Sequence, residues 1–167
     1  MAAPVSKLQQ FDRQLAAVVT PALATHGFTF VKAGREYHRP APRGNDVTHI
    51  VSFQVGPASS SSAGKYTVEL GIYYPVEARK IGQEVLKPSI RYTDLDDVRV
   101  RLGFLFTPRE DRWWRQQAAG TAQADQLREV VGQILTLGLP WFDATDTDAH
   151  AAAYNTGRKP KRAKPAS

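Results

Sequence analysis

Leu8, Phe11, Leu15, Val18 and Val19 recur at the spacing of one helical face. Ser6-Lys7-Leu8-Gln9 opens this helix in capping-box form, with Gln9 placed to reach back to the Ser6 amide. Pro21 is expected to end or kink it. Thr20 would cap a second short segment with Pro21 at its first position, and Gly27 would stop it. From Phe28 the apolar period changes to two. Phe28–Lys32 and Arg35–Arg39 flank Ala33-Gly34 as a tight hairpin. After a loop over 40–46, Val47–Val55 alternates, with Val47, Val51, Phe53 and Val55 on one side and Thr48, Ser52 and Gln54 on the other. A Ser-rich loop over 56–64 leads into Lys65–Tyr74, whose Tyr66, Val68, Leu70, Ile72 and Tyr74 share a face. Residues 75–97 form a long connection with a short helix expected near Val76–Gln83. Val98–Phe104 is expected as the last strand, with Val98, Val100, Leu102 and Phe104 inward. A helix over Thr121–Leu137 buries Leu127, Val130, Val131, Ile134 and Leu135, and Gly138 should stop it. Leu139-Pro140-Trp141-Phe142 reads as an apolar anchor and Asp143–Tyr154 as a last short helix.

These elements predict an α+β fold. It is a two-layer sandwich in which a mostly antiparallel sheet of about five strands is covered on one face by the N-terminal and C-terminal helices. A chain of 167 residues with 42% hydrophobic content can build one core, so residues 1–156 are read as a single domain. Residues 157–167 have no large apolar side chain and are expected to be a disordered basic tail. The net charge of +6 is concentrated there. Of 22 Lys and Arg residues, Arg158, Lys159, Lys161, Arg162 and Lys164 lie in the tail, with none of the 16 acids, so the body is nearly neutral. That balance argues against a nucleic-acid-binding face on the body, and leaves the tail able to make only unspecific phosphate contacts.

The absence of cysteine excludes disulfides, thiolate metal sites and thiol catalysis. Residues 1–7 lack the apolar run of a secretory signal, and the longest apolar stretch, Ile134–Phe142, is interrupted by Thr136, Gly138 and Pro140. A cytoplasmic location without membrane contact is the expectation. Gly64-Lys65 fails as a phosphate loop, because Ser59 stands where its first Gly should be and Tyr66 replaces its Ser or Thr. Neither a dinucleotide-binding glycine motif nor a nucleophile-elbow motif occurs. His26, His38, His49 and His150 are scattered, so no metal site and no cofactor are expected.

Alternation carries the most suggestive cluster. The sheet face opposite the helices would display Glu36, His38, Ser52, Gln54, Glu69, Tyr73, Arg99 and Arg101. Such a face can hold a ligand or a partner protein, Arg being suited to planar bidentate contacts. It is equally the wet face of an antiparallel sheet, with opposite charges paired across strands. Trp113 and Trp114 cannot both face inward on a strand, so one should anchor the core and the other be partly exposed.

The ordered series His26-Gly27-Phe28, Arg35–Arg39, Phe53-Gln54-Val55-Gly56, Tyr66–Tyr73, Val98–Gly103 and Asp111-Arg112-Trp113-Trp114 resembles the domain-of-unknown-function family 4304 of bacterial proteins. The resemblance runs from about Leu8 to Phe142. It implies a fold and no chemistry. Together these readings favour a non-enzymatic binding or accessory module acting by protein–protein contact. The alternatives are a small-molecule-binding or enzymatic domain using the polar sheet face, and a nucleic-acid accessory protein acting through the tail. The oligomeric state is left open.

Overall fold

The computed structural model describes residues 3–44, 46–75, 88–93, 97–117 and 121–155. The helix expected near Val76–Gln83 and the basic tail lie outside the described residues.

Helix α1 covers residues 7–24. It opens on the predicted capping box: the Gln9 amide donates to Ser6 Oγ at 3.1 Å, and the Ser6 amide to Gln9 Oε1 at 2.9 Å. The helix does not end at Pro21. A wide turn over Leu15–Val19 lets the Thr20 amide reach the Leu15 carbonyl five residues back, and Pro21, which has no N–H to place, follows directly. The helix then runs on through Thr20–Ala24. Gly27, at φ +85°, turns the chain into the sheet.

The strands are β1 (Thr29–Val31), β2 (Glu36–Pro40), β3 (Thr48–Val55), β4 (Lys65–Tyr73), β5 (Arg99–Arg101) and β6 (Trp114–Arg115). They form one antiparallel sheet in the order β1-β2-β3-β4-β5, with β6 paired to the start of β4. Because β3 occupies one edge of β4, β5 and β6 share the other. β5 is shorter than predicted. The chain tightens into a 3-10 turn at Leu102–Leu105, so Phe104 is half-buried instead of pointing into the core. Gly103 explains the turn: a Cβ there would meet the Glu110 carbonyl oxygen at 2.4 Å, since residues 110–112 cross over it.

Helix α2 covers residues 121–145 and repeats the device of α1. A wide turn over Ile134–Gly138 sends the Leu139 amide to the Ile134 carbonyl, and Pro140 follows within Leu139–Thr145. Gly138 therefore does not stop the helix. A Cβ there would lie 3.1 Å from Leu70 Cδ1, so this glycine allows the helix to approach β4. Helix α3 spans Asp148–Asn155, and Asp143, expected to start it, belongs to α2.

Helices α1 and α2 cover one face of the sheet. Phe11, Leu15, Val19 and Leu23 meet Leu127, Val130, Ile134 and Phe142 over Tyr37, Phe53, Val68 and Leu70. Each large side chain so buried contributes about 1.5–3 kcal/mol. The α+β sandwich predicted from alternation is the fold observed, with six strands. Among the described residues no helix is long and apolar enough to cross a membrane.

Candidate functional site

Antiparallel register arranges the face away from α1 and α2 in rows. One row runs Glu36–Ser52–Glu69–Arg101 across β2 to β5, the next His38–Ile50–Gly71–Arg99, and the last Pro40–Thr48–Tyr73. Gln54 stands opposite Thr67. All eight residues assigned to this face by alternation are on it. They do not form one open surface, because residues 88–93 lie across its centre.

The crossing segment is held at Ile90 from two sides. The Ile90 amide donates to Glu36 Oε1 at 3.2 Å, and Ser89 Oγ donates to Glu36 Oε2 at 3.1 Å. Arg99 Nη1 donates to the Ile90 carbonyl at 3.2 Å. The Ile90 side chain then fills the space left by Gly71, where a Cβ would come within 2.5 Å of Ile90 Cδ1 and 2.9 Å of Thr93 Cγ2. Ile90 packs there with Ile50 and Tyr73 in a small apolar cluster of its own. Glu36, 3% exposed, and Tyr73 are thus built into the fold. Glu36 also takes a hydrogen bond from His38 Nε2 at 2.8 Å, which fixes that ring.

The segment divides the face into two clefts. The first, about 580 Å³, is lined by His38, Pro40, Thr48 and Tyr73 and is bordered by Pro75 and Pro88, the two residues next to the undescribed stretch 76–87. The second, about 360 Å³, lies at the β5 corner and is lined by Glu69, Asp97, Arg99, Arg101, Phe104, Arg109 and Trp141. Here Glu69, 7% exposed, faces both β5 arginines: Oε2 is 3.6 Å from Arg99 Nε and Oε1 is 3.5 Å from Arg101 Nε. Glu69 Oε2 and Arg99 Nε have no other hydrogen-bond partner, so their charges are matched while their directional bonding is not. Arg101 is held more firmly by Asp111, at 2.7 and 2.9 Å from Nη1, and its guanidinium lies 5.4 Å from the Trp113 ring centre. Burial alone would lower the Arg101 pKa, but Asp111 and then Glu69 outweigh it and raise it. Trp114 is the core anchor, stacked on Tyr66, and Trp113 is half-buried.

Alternation assigned Phe104 of this corner to the core face and did not reach Arg109 or Trp141. Arg109 is exposed, its guanidinium 4.4 Å from the Phe104 ring centre, and among the described residues no carboxylate lies within ion-pair distance of it. Phe104 and Trp141 are half-buried beside it. Arg109 sits outside every strand, and Trp141 comes from the far end of α2, so no local pattern joins them.

A second polar group lies under the helices. His49, 1% exposed, stacks flat on Phe142 at 4.5 Å. Arg39 Nε donates to His49 Nδ1 at 3.2 Å, so the ring proton is on Nε2, which donates to Asp146 Oδ2 at 2.8 Å. Asp146 also accepts from the Tyr74 hydroxyl at 3.2 Å and faces Arg43 at 3.3 Å. Burial would raise its pKa, but His49, Tyr74 and Arg43 together hold it below the ordinary carboxylate value. His49, Tyr74 and Asp146 of this network are buried, and it ties the end of α2 to the sheet. Among the described residues no group of three or more His, Asp or Glu side chains is arranged to hold a metal.

A family model described as "Domain of unknown function (DUF4304)" matches residues 19–144. Neither a curated protein nor a solved structure matches the chain.

Proposed function

The chain belongs to the DUF4304 family, whose description carries no activity, and on that premise we propose that it is a non-enzymatic binding module acting by protein–protein contact at the β5 corner. One observation supports this most: Arg109 is exposed, oriented on Phe104, and without an internal acid among the described residues. Around it stand half-buried Phe104 and Trp141, with Trp113 and Arg101 close by. Arg and Trp side chains, partly covered and already ordered, are the composition enriched where proteins meet. Holding the guanidinium over a ring lowers the entropy lost on contact.

The small-molecule reading has one observation in its favour, the cleft volume of about 360 Å³, which is at the lower end of ligand sites. Its central charges, however, face one another and the Ile90 backbone, which supports the contact reading over it. A photo-reactive amino acid placed at position 109 tests the proposal, with position 128 on the opposite, helical layer as control. The expected result is a discrete, saturable protein adduct from position 109 only. Equal labelling from both positions would defeat it.

A further inference from the structure

The first cleft carries groups that no contact at the β5 corner uses. Its volume of about 580 Å³ is in the range of small-molecule sites, and Pro40, Pro75 and Pro88 give it apolar walls. His38 lines it with a side chain 14% exposed. The Nε2 atom of this ring donates to Glu36 Oε1 at 2.8 Å, and the same carboxylate takes the Ile90 amide and the Ser89 hydroxyl. An ionised carboxylate only accepts, so the ring proton is on Nε2 and Nδ1 keeps its lone pair. Among the described residues nothing donates to that nitrogen, and the hydroxyl of Thr48, in the neighbouring row of the same face, has no partner either. The cleft therefore presents one hydrogen-bond acceptor of fixed tautomer and one uncommitted hydroxyl.

Charge decides which molecules suit these groups. Arg39 also borders the cleft, but its guanidinium is engaged on the helix side, where Nε donates to His49 and the group lies 4.8 Å from the Phe28 ring centre. Asp46 is exposed at the rim and, among the described residues, has no cation within ion-pair distance. An entering anion would meet a carboxylate and a lone pair, whereas a cation with a hydrogen-bond donor finds a partner for each. We infer that this cleft binds a small aromatic amine whose ring carries a hydrogen-bond donor. The ring lies against the prolines, its O–H or N–H donates to His38 Nδ1, and its ammonium faces Asp46. The site stands independently of the contact at the β5 corner, from which residues 88–93 separate it.

Tyramine is the probe, titrated into the full chain and followed through backbone amide shifts by NMR. Phenethylamine differs from it only in lacking the ring hydroxyl, and para-hydroxyphenylacetate keeps the ring and hydroxyl but carries a negative charge. Tyramine is expected to give saturable shifts centred on His38, Asp46 and Thr48. Phenethylamine should bind about tenfold more weakly, the scale of one hydrogen bond to a sheltered acceptor. Para-hydroxyphenylacetate should leave those amides unmoved. Asp46 has φ +60°, which Asn also adopts, so Asp46→Asn should keep the circular dichroism unchanged and weaken tyramine about threefold. Tyramine shifts that are absent or centred elsewhere overturn the inference. So does equal affinity for phenethylamine, binding of the anion as tight as that of tyramine, or a tyramine affinity indifferent to Asp46→Asn.

Discussion

At the scale of single residues, burial separates two arginines that alternation treats as equivalent. Arg99 holds the Ile90 carbonyl and, among the described residues, is one of two cations facing the buried Glu69 carboxylate, whereas Arg101 has the half-exposed Asp111 as its main partner. Leaving a buried carboxylate short of a partner is far more costly than losing a surface ion pair. Arg99→Ala is expected to cost about 2–3 kcal/mol in urea unfolding, and Arg101→Ala about 1 kcal/mol. Equal effects would mean that Glu69 is solvated. Asp146 sets a pH dependence. Its folded pKa is depressed, so its contribution is fully present above the unfolded value of about 3.9 and is lost as pH falls through the folded value. Asp146→Asn should lower stability by about 2 kcal/mol at neutral pH, and the gap from the parent should close below about pH 4. A gap that persists into acid would show that the cost comes from lost packing and not from the carboxylate charge.

At the scale of elements, periodicity was enough to place α1, α2 and strands β1 to β5, and to assign Glu36, His38, Ser52, Gln54, Glu69, Tyr73, Arg99 and Arg101 to one face. It failed where one element depends on another distant in sequence. The group that packs over Gly71 in β4 is Ile90, from a stretch without any apolar period. His49 shared the parity of the apolar side chains, which is the mark of a buried histidine, yet its partner Asp146 lies 97 residues further on. Pro21 and Gly138 mislead for a related reason. Each reads as the end of a regular helix, in which a proline removes a bond to the fourth residue back, yet Pro21 and Pro140 are both accommodated. Both follow a wide turn that has already shifted the ladder to the fifth. The crossing segment gives a direct test. Gly71→Ala should force Ile90 and Thr93 outward, cost about 1–3 kcal/mol, and speed amide exchange at Ile90 and Tyr92 more than in β3. Unchanged exchange there would show that the segment is not seated on Gly71.

For the molecule as a whole, the last helix and the sequence beyond it are predicted to differ sharply in what they contribute to stability. In α3, Tyr154 is fully buried and stacks on Tyr74 at 4.8 Å, and Ala151 is buried beside it. Residues 157–167 have no large apolar group to bury. Truncation after Asn155 should leave the melting temperature within about 1 °C, while truncation after Thr147 should lower it by about 10 °C, given about 3 kcal/mol for the lost tyrosine. A similar loss from both cuts would place the basic residues in the packed structure. The two ends of the sheet carry a different consequence. Its outer strands, β1 and β5, have three residues each, and β5 carries two arginines. A cross-β ladder grows from a long unpaired edge of uncharged residues, and neither end offers one. Concentrated solutions of the native chain should therefore resist fibril growth, and thioflavin fluorescence should rise only under conditions that first unfold it.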